Sequence, residues 1–275
     1  MGYVAVDNNV RLYVQDVGSG PPVVLVPGLG LDHQVWDRQV RVLSGRHRVI
    51  CVDQRGHGLS DKPLGGYEVN RLTLDLGAVL DRLDVQQCAL VGWSFGGQVA
   101  FKLAADRPAL VSRLVLVGSN AVRASRSTAF PFGVEPEKLA TALVAAEERD
   151  RLRARRETIA GAFARPPGED TLRWLLGQSL QMPSWAAVAC YASMLYTDLS
   201  DDLPRVTMPV RQIIGSADPV HSARGARWLT ERLADASLVE ISGCGHYPML
   251  EAPEAFDAAL LDFVSGTQQG VWNGG

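Results

Sequence analysis

Two hydrophobic patterns alternate along the chain. Continuous apolar runs occur at Pro22–Pro27, Val49–Val52, Ala89–Val91 and Leu114–Val117, and Val210–Ile214 and Leu238–Ile241 repeat the pattern with Arg211, Gln212 and Glu240 as interruptions. An unbroken run of β-branched and aliphatic residues suits a strand covered on both faces, as in a parallel sheet. Between these runs lie Val35–Leu43, Val69–Leu83, Gly96–Ala105, Gly225–Ala234 and Pro253–Val264, each with apolar residues at three- and four-residue spacing. That spacing predicts helices with one buried face. At the start, Tyr3–Val17 reads as two period-2 stretches joined by the turn-favouring Asp7-Asn8-Asn9, a hairpin. Strand–helix alternation of this kind predicts an α/β architecture, with a mainly parallel sheet covered by helices on both faces.

The alternation breaks between about residues 121 and 204. No strand is predicted there. Several helices are, separated by Pro131, Pro136, Pro166-Pro167 and Pro183, with Phe130, Phe132, Phe163, Trp174, Trp185, Tyr191 and Tyr196 among them. The segment is expected to form a helical cap inserted into a core built from residues 1–120 and 205–265. Its charge run, Glu147–Glu157, holds five Arg against three Glu and one Asp, net +1, and is expected to be a solvated helix face. Residues 266–275, rich in Gly and Gln, are expected to form a flexible tail.

Composition narrows the possibilities further. The chain has 275 residues, 27 Lys+Arg and 30 Asp+Glu, for a formal net charge of −3. Such a balance lacks the positive field that nucleic-acid binding needs, and the 47% hydrophobic content is ample for a core. Four cysteines without CxxC spacing, Cys51, Cys88, Cys190 and Cys244, suggest neither a disulfide framework nor a zinc site. Five histidines without HxH or HExxH spacing give no metal site. Met1–Gly20 lacks a basic region followed by an apolar run, and no stretch approaches the ~20 apolar residues of a membrane span. A cytoplasmic monomer or homodimer, needing no cofactor and touching neither membrane nor nucleic acid, is expected.

The strongest local signal is Gly92-Trp93-Ser94-Phe95-Gly96-Gly97, which fits G-x-S-x-G between a predicted strand and a predicted helix. A serine on so tight a turn occupies strained backbone, and a Cβ at either flanking glycine would collide with neighbouring chain. The turn exposes the hydroxyl at the carboxyl end of the sheet, beside a helix N-terminus with free N–H groups. Two later turns follow strands of their own: Gly215-Ser216-Ala217-Asp218-Pro219-Val220, and Gly243-Cys244-Gly245-His246.

With these motifs the sequence resembles the α/β-hydrolase family from Tyr3 to Val264. The resemblance implies a catalytic triad of Ser94, Asp218 and His246, in the chain order that the fold demands. A serine hydroxyl needs a base to take its proton, an imidazole suits that role near neutral pH, and a carboxylate fixes the imidazole's tautomer. Some relatives carry the acid after the strand at Leu114–Val117; here Gly118-Ser119-Asn120 follows, with no carboxylate. The oxyanion hole is expected from the backbone N–H groups of Phe95 and of Leu29 in Pro27-Gly28-Leu29-Gly30, where the family often has histidine in place of Pro27. Asp53-Gln54-Arg55-Gly56-His57-Gly58-Leu59-Ser60 matches a structural loop of the family, so His57 is expected to brace it. Trp93, His33, His221 and Trp185 are expected near the substrate, and Asp32 beside them.

What the resemblance implies is acyl transfer to water on a small to medium ester or lactone under a dry, aromatic-rich lid. The same triad also serves carbon–carbon bond hydrolases, enol-lactonases and cofactor-free perhydrolases. Haloalkane dehalogenases and epoxide hydrolases of this fold use an aspartate nucleophile and are disfavoured by Ser94. A scaffold acting only as a ligand receptor is the reading from a different class.

Overall fold

The computed structural model describes residues 2–266, and beyond Gly266 the expected tail lies outside them. The eight strands are β1 (Gly2–Asp7), β2 (Val10–Val17), β3 (Pro22–Val26), β4 (Arg48–Val52), β5 (Cys88–Trp93), β6 (Val111–Val117), β7 (Val210–Gly215) and β8 (Ala236–Ile241). They form one sheet in the order β1-β2-β4-β3-β5-β6-β7-β8. Only the amino-terminal hairpin runs antiparallel: β2 pairs β1 on one side and β4 on the other, and every later pairing is parallel.

Period-2 alternation in the central strands divides the core. Val24, Val26, Ile50, Val52 and Leu90 face α2 (Val69–Arg82) and α3 (Phe95–Asp106), joining Leu72, Leu76, Val79, Val99 and Phe101. Val23, Leu25, Val49, Cys51 and Val91 face the opposite way. They meet Val40 and Leu43 of α1 (Asp37–Leu43) and Phe256 and Leu260 of α9 (Pro253–Val264). Both faces of β3, β4 and β5 are thus covered, which is why their sequences are apolar without a break.

Residues 121–204 lie between β6 and β7 and contain α4 (Pro136–Gly161), α5 (Glu169–Leu180) and α6 (Ser184–Tyr196). Proline punctuates them as its chemistry requires. Pro136 occupies the first turn of α4, where a missing N–H costs nothing, and Pro183 sits at the N-cap of α6. α4 is kinked at Asp150, whose backbone is extended. The charge run on α4 is not wholly solvated as expected. Glu147 and Arg155 face inward, with side chains only 1% and 4% exposed, and pair with each other.

Two further helices complete the carboxyl-terminal part, α7 (Ala223–Thr230) and the single turn α8 (Pro248–Glu251). Ser222 caps α7, its hydroxyl accepting the Arg224 N–H at 3.2 Å. Among the described residues no helix is long and apolar enough to cross a membrane.

Candidate active site

Parallel register brings the three motif turns to one edge of the sheet. Trp93 pairs with Val117, Val117 with Ile213 and Gly215 with Ile241, so β5 to β8 end side by side. Backbone bonds continue past the strand ends. Ser94 N–H donates to Val117 O at 2.9 Å, Ser216 N–H to Ile241 O at 2.9 Å, and Ala217 N–H to Cys244 O at 3.0 Å. Residues far apart in sequence are thereby fixed within a few ångströms of one another.

Ser94 has φ +54° and ψ −121°, the strained conformation expected of the turn. Such strain costs about 1–3 kcal/mol and persists only where packing enforces it. The flanking glycines permit that packing: a Cβ at Gly92 would stand 2.7 Å from the Ala100 Cβ, and one at Gly96 would stand 2.7 Å from Val26 O. The Ser94 Oγ then lies 3.0 Å from His246 Nε2, and His246 Nδ1 lies 2.9 Å from Asp218 Oδ2.

Asp218 is free for this contact because Ser222, not Asp218, caps α7. Its second oxygen accepts the N–H groups of Val220 and His221 at 2.8 and 2.9 Å. Burial pushes the carboxyl's pKa up, but the charge and hydrogen bond of His246, with the charge and N–H of His221, outweigh it. Asp218 is therefore held below the usual carboxylate range and stays ionised. Across the cleft, the backbone N–H groups of Leu29 and Phe95 have no acceptor among the described residues, which leaves both available to a substrate oxygen.

A cavity of about 350 Å³ opens on Ser94 and His246. Leu29 and Leu31 line its floor, and Val134, Leu139, Leu143, Ile159 and Met194 come from the 121–204 segment. Arg155 also reaches its wall. Its guanidinium is committed elsewhere, with Nε and Nη2 donating to Glu147 and Nη1 to the carbonyls of Ser179 and Met182.

Of the four residues expected near the substrate, only Trp93 lines the cavity. It is 2% exposed, and its indole Nε1 donates to His246 O at 2.9 Å, so its main contact is with the histidine's backbone. His221 does not reach the cavity. It lies behind His246, ring centroids 5.5 Å apart, and burial pushes its pKa down to about 4. His33 is turned away, its Nδ1 lying 3.0 and 3.1 Å from the two Asp53 oxygens. Trp185 stands on the surface with 49% exposure and donates to Pro63 O at 3.2 Å. Asp32, fully buried, bonds to Gln34 and Gln181 instead of facing the cavity. His57 braces its loop through Arg55 O, and burial pushes its pKa down to about 4.

Two features were missed from sequence. The Glu147–Arg155 pair had no local signal, because α4 kinks at Asp150 and the two partners lie on either side of the break. Glu251, five residues after His246, had none.

The family model described as the alpha/beta hydrolase family matches residues 23–259. The protein belongs to that family. It is 33% identical over 251 residues to a pimeloyl-[acyl-carrier protein] methyl ester esterase of Nitrosomonas europaea, covering 89% of this chain and 96% of that one. It is 31% identical over 276 residues to a non-heme chloroperoxidase of Streptomyces lividans, covering 96% and 99% of the two chains. Among solved structures, an esterase from Exiguobacterium antarcticum superposes with a TM-score of 0.92 at 28% identity, covering 96% of this chain and all of that one.

Proposed function

We propose that the protein is a serine hydrolase that cleaves small to medium, uncharged carboxylic esters or lactones through an acyl-enzyme. The observation that carries this reading is the unbroken chain Ser94–His246–Asp218, with contacts of 3.0 and 2.9 Å, opening on an apolar cavity. Ser94 Oγ attacks the carbonyl carbon while His246 Nε2 takes its proton, and Asp218 stabilises the resulting imidazolium. The tetrahedral oxyanion accepts the N–H groups of Leu29 and Phe95. His246 then gives its proton to the leaving oxygen as the carbon–oxygen bond breaks. Water, deprotonated by the same imidazole, attacks the ester formed on Ser94 and releases the acid.

The lining supports an uncharged substrate. Arg155 is the cation on the wall, and Glu147 already neutralises it. A volume of about 350 Å³ suits a short acyl chain with a small alcohol, or a lactone ring. All four cysteines are free and buried, which supports a reducing, cytoplasmic setting.

The similarity to a chloroperoxidase favours one second reading, in which hydrogen peroxide replaces water in the last step and a peracid leaves. Turnover of p-nitrophenyl acetate and butyrate, compared between the parent and Ser94→Ala, tests the first. Parent turnover is expected to be lost in the variant. Nitrophenol release no faster than the variant's would sink the ester-hydrolase reading in favour of a carbon–carbon bond hydrolase or a non-catalytic receptor. Peracid formation from acetate and peroxide tests the second.

A further inference from the structure

The backbone N–H groups from Gly243 to Tyr247 all have acceptors, and one carboxylate accepts two of them. Glu251 Oε2 accepts the N–H of Gly245 at 3.0 Å, and Oε1 accepts the N–H of Tyr247 at 3.0 Å, one on each side of His246. Oε2 also accepts the N–H of Ala164, at 2.9 Å, from the loop that joins α4 to α5. The N–H of His246 itself donates to Ala162 O at 2.9 Å, in the same loop. Phe163, between these two contacts, stacks on Tyr247 at 4.3 Å and 20°. On the other side the His246 carbonyl is held by the Trp93 indole.

Three successive N–H groups, at 245, 246 and 247, are thus tied either to Glu251 or to the 121–204 segment. Hydrogen bonds to an ionised acceptor are shorter and stronger than neutral ones, and a carboxylate has lone pairs for all three of its donors. A glutamine has one oxygen and would set its own N–H₂ against a backbone N–H. We propose that Glu251 is a positioning residue for His246. By accepting the Ala164 N–H as well, it makes the histidine's alignment depend on how the 121–204 segment is seated. The proposal rests on the reading of His246 as the general base.

The test is Glu251→Gln, with kcat and KM measured per site labelled by a fluorophosphonate, alongside amide hydrogen exchange. A displacement of the imidazole by about 1 Å costs on the order of 100-fold in rate, so kcat is expected to fall by about that factor. KM is expected to hold within about twofold, because Glu251 itself does not line the cavity. Exchange is expected to quicken at Ala164, Gly245 and Tyr247 and to stay unchanged in β5 and β6. Glu251→Asp keeps the charge on a shorter arm and is expected to give an intermediate kcat; it carries the same test if the glutamine variant does not fold. A lower melting temperature with unchanged kcat per labelled site would overturn the proposal, as would unchanged exchange at the three amides. If the parent cleaves no ester, the hydrolase reading falls, while the exchange pattern still decides whether Glu251 holds the loop.

Discussion

Replacing Glu147 by alanine would strand a buried cation. Glu147 Oε1 accepts from Arg155 Nη2 at 2.5 Å and from Ser184 Oγ at 2.8 Å, and Oε2 accepts from Arg155 Nε at 3.1 Å. With side chains 1% and 4% exposed, solvent does little to screen the pair, and removing one partner leaves the other charge uncompensated. Breaking such a pair costs about 3–5 kcal/mol. The same helix supplies its own control. Arg153 and Glu157 form an i,i+4 pair at 2.8 Å, but with side chains 76% and 64% exposed, so Glu157→Ala is expected to cost no more than about 0.5 kcal/mol.

The assay is urea unfolding of both variants, with limited proteolysis to show where the chain opens first. Glu147 belongs to α4, Ser184 to α6, and Arg155 reaches the carbonyls of Ser179 in α5 and of Met182 just after it, so the three helices are expected to loosen together. Acid adds a second readout. Burial pushes the Glu147 carboxyl up, but the bond and charge of Arg155, with Ser184 and the charge of Arg151, outweigh it and hold the pKa below 4.5. A group with a depressed folded value contributes its stability above the unfolded value and loses it as the pH falls through the folded one. The gap between parent and Glu147→Ala is therefore expected to be full above pH 4.5 and to close below it. A loss under about 1 kcal/mol at neutral pH, no larger than an exposed pair gives, would refute the reasoning.

Two further outcomes follow from the site and the core. Asp218→Asn keeps the shape but removes the charge behind His246, so kcat is expected to fall by about 10⁴-fold with KM little changed; steady-state kinetics with a loss below about tenfold would remove Asp218 from the triad. Burial pushes the thiols of Cys88 and Cys244 up to about 12, and those of Cys51 and Cys190 in the same direction. At pH 8 a disulfide reagent such as dithionitrobenzoate is therefore expected to find no fast thiol in the folded protein and all four after denaturation.

The elements that sequence made legible are those whose signals are local. β3, β4 and β5 are apolar because both their faces are covered, and Ser94 announces itself because its turn tolerates nothing but glycine on either side. Helix ends were less legible. Gly225–Ala234 was expected for α7, which instead runs Ala223–Thr230 from the Ser222 cap. The residues misplaced or missed depend on which faces of distant elements meet. His33 carries the same imidazole as His246, and nothing in its neighbours says that Asp53 will turn it away. Trp185 shares its aromatic character with residues inside the cavity, yet its place on α6 leaves it half-exposed against Pro63. Glu147 and Arg155 look like any solvated charges until α5 and α6 close over them.

This division has a physical basis in the parallel sheet. Each motif turn ends a strand, and the register of β5 to β8 carries all three turns to one edge whatever the loops between them contain. Three short signals are then enough to bring a serine, a histidine and an aspartate into hydrogen-bond contact from positions as far apart as Ser94 and His246. No register links the 121–204 segment to that edge. It is held by apolar packing and by separate contacts, among them Ala162 O on the His246 N–H, Ala164 N–H on Glu251, Gln181 on Asp32, Ser193 on the Val69 N–H and Trp185 on Pro63 O. The Ser94–His246–Asp218 group and the cavity wall built from residues 121–204 are therefore supported by different kinds of structure, a hydrogen-bonded ladder for the first and separate packing and hydrogen-bond contacts for the second. Because one of those contacts ends on the histidine's own loop, a change in the segment that lines the cavity is expected to be felt as a change in kcat, not in KM alone.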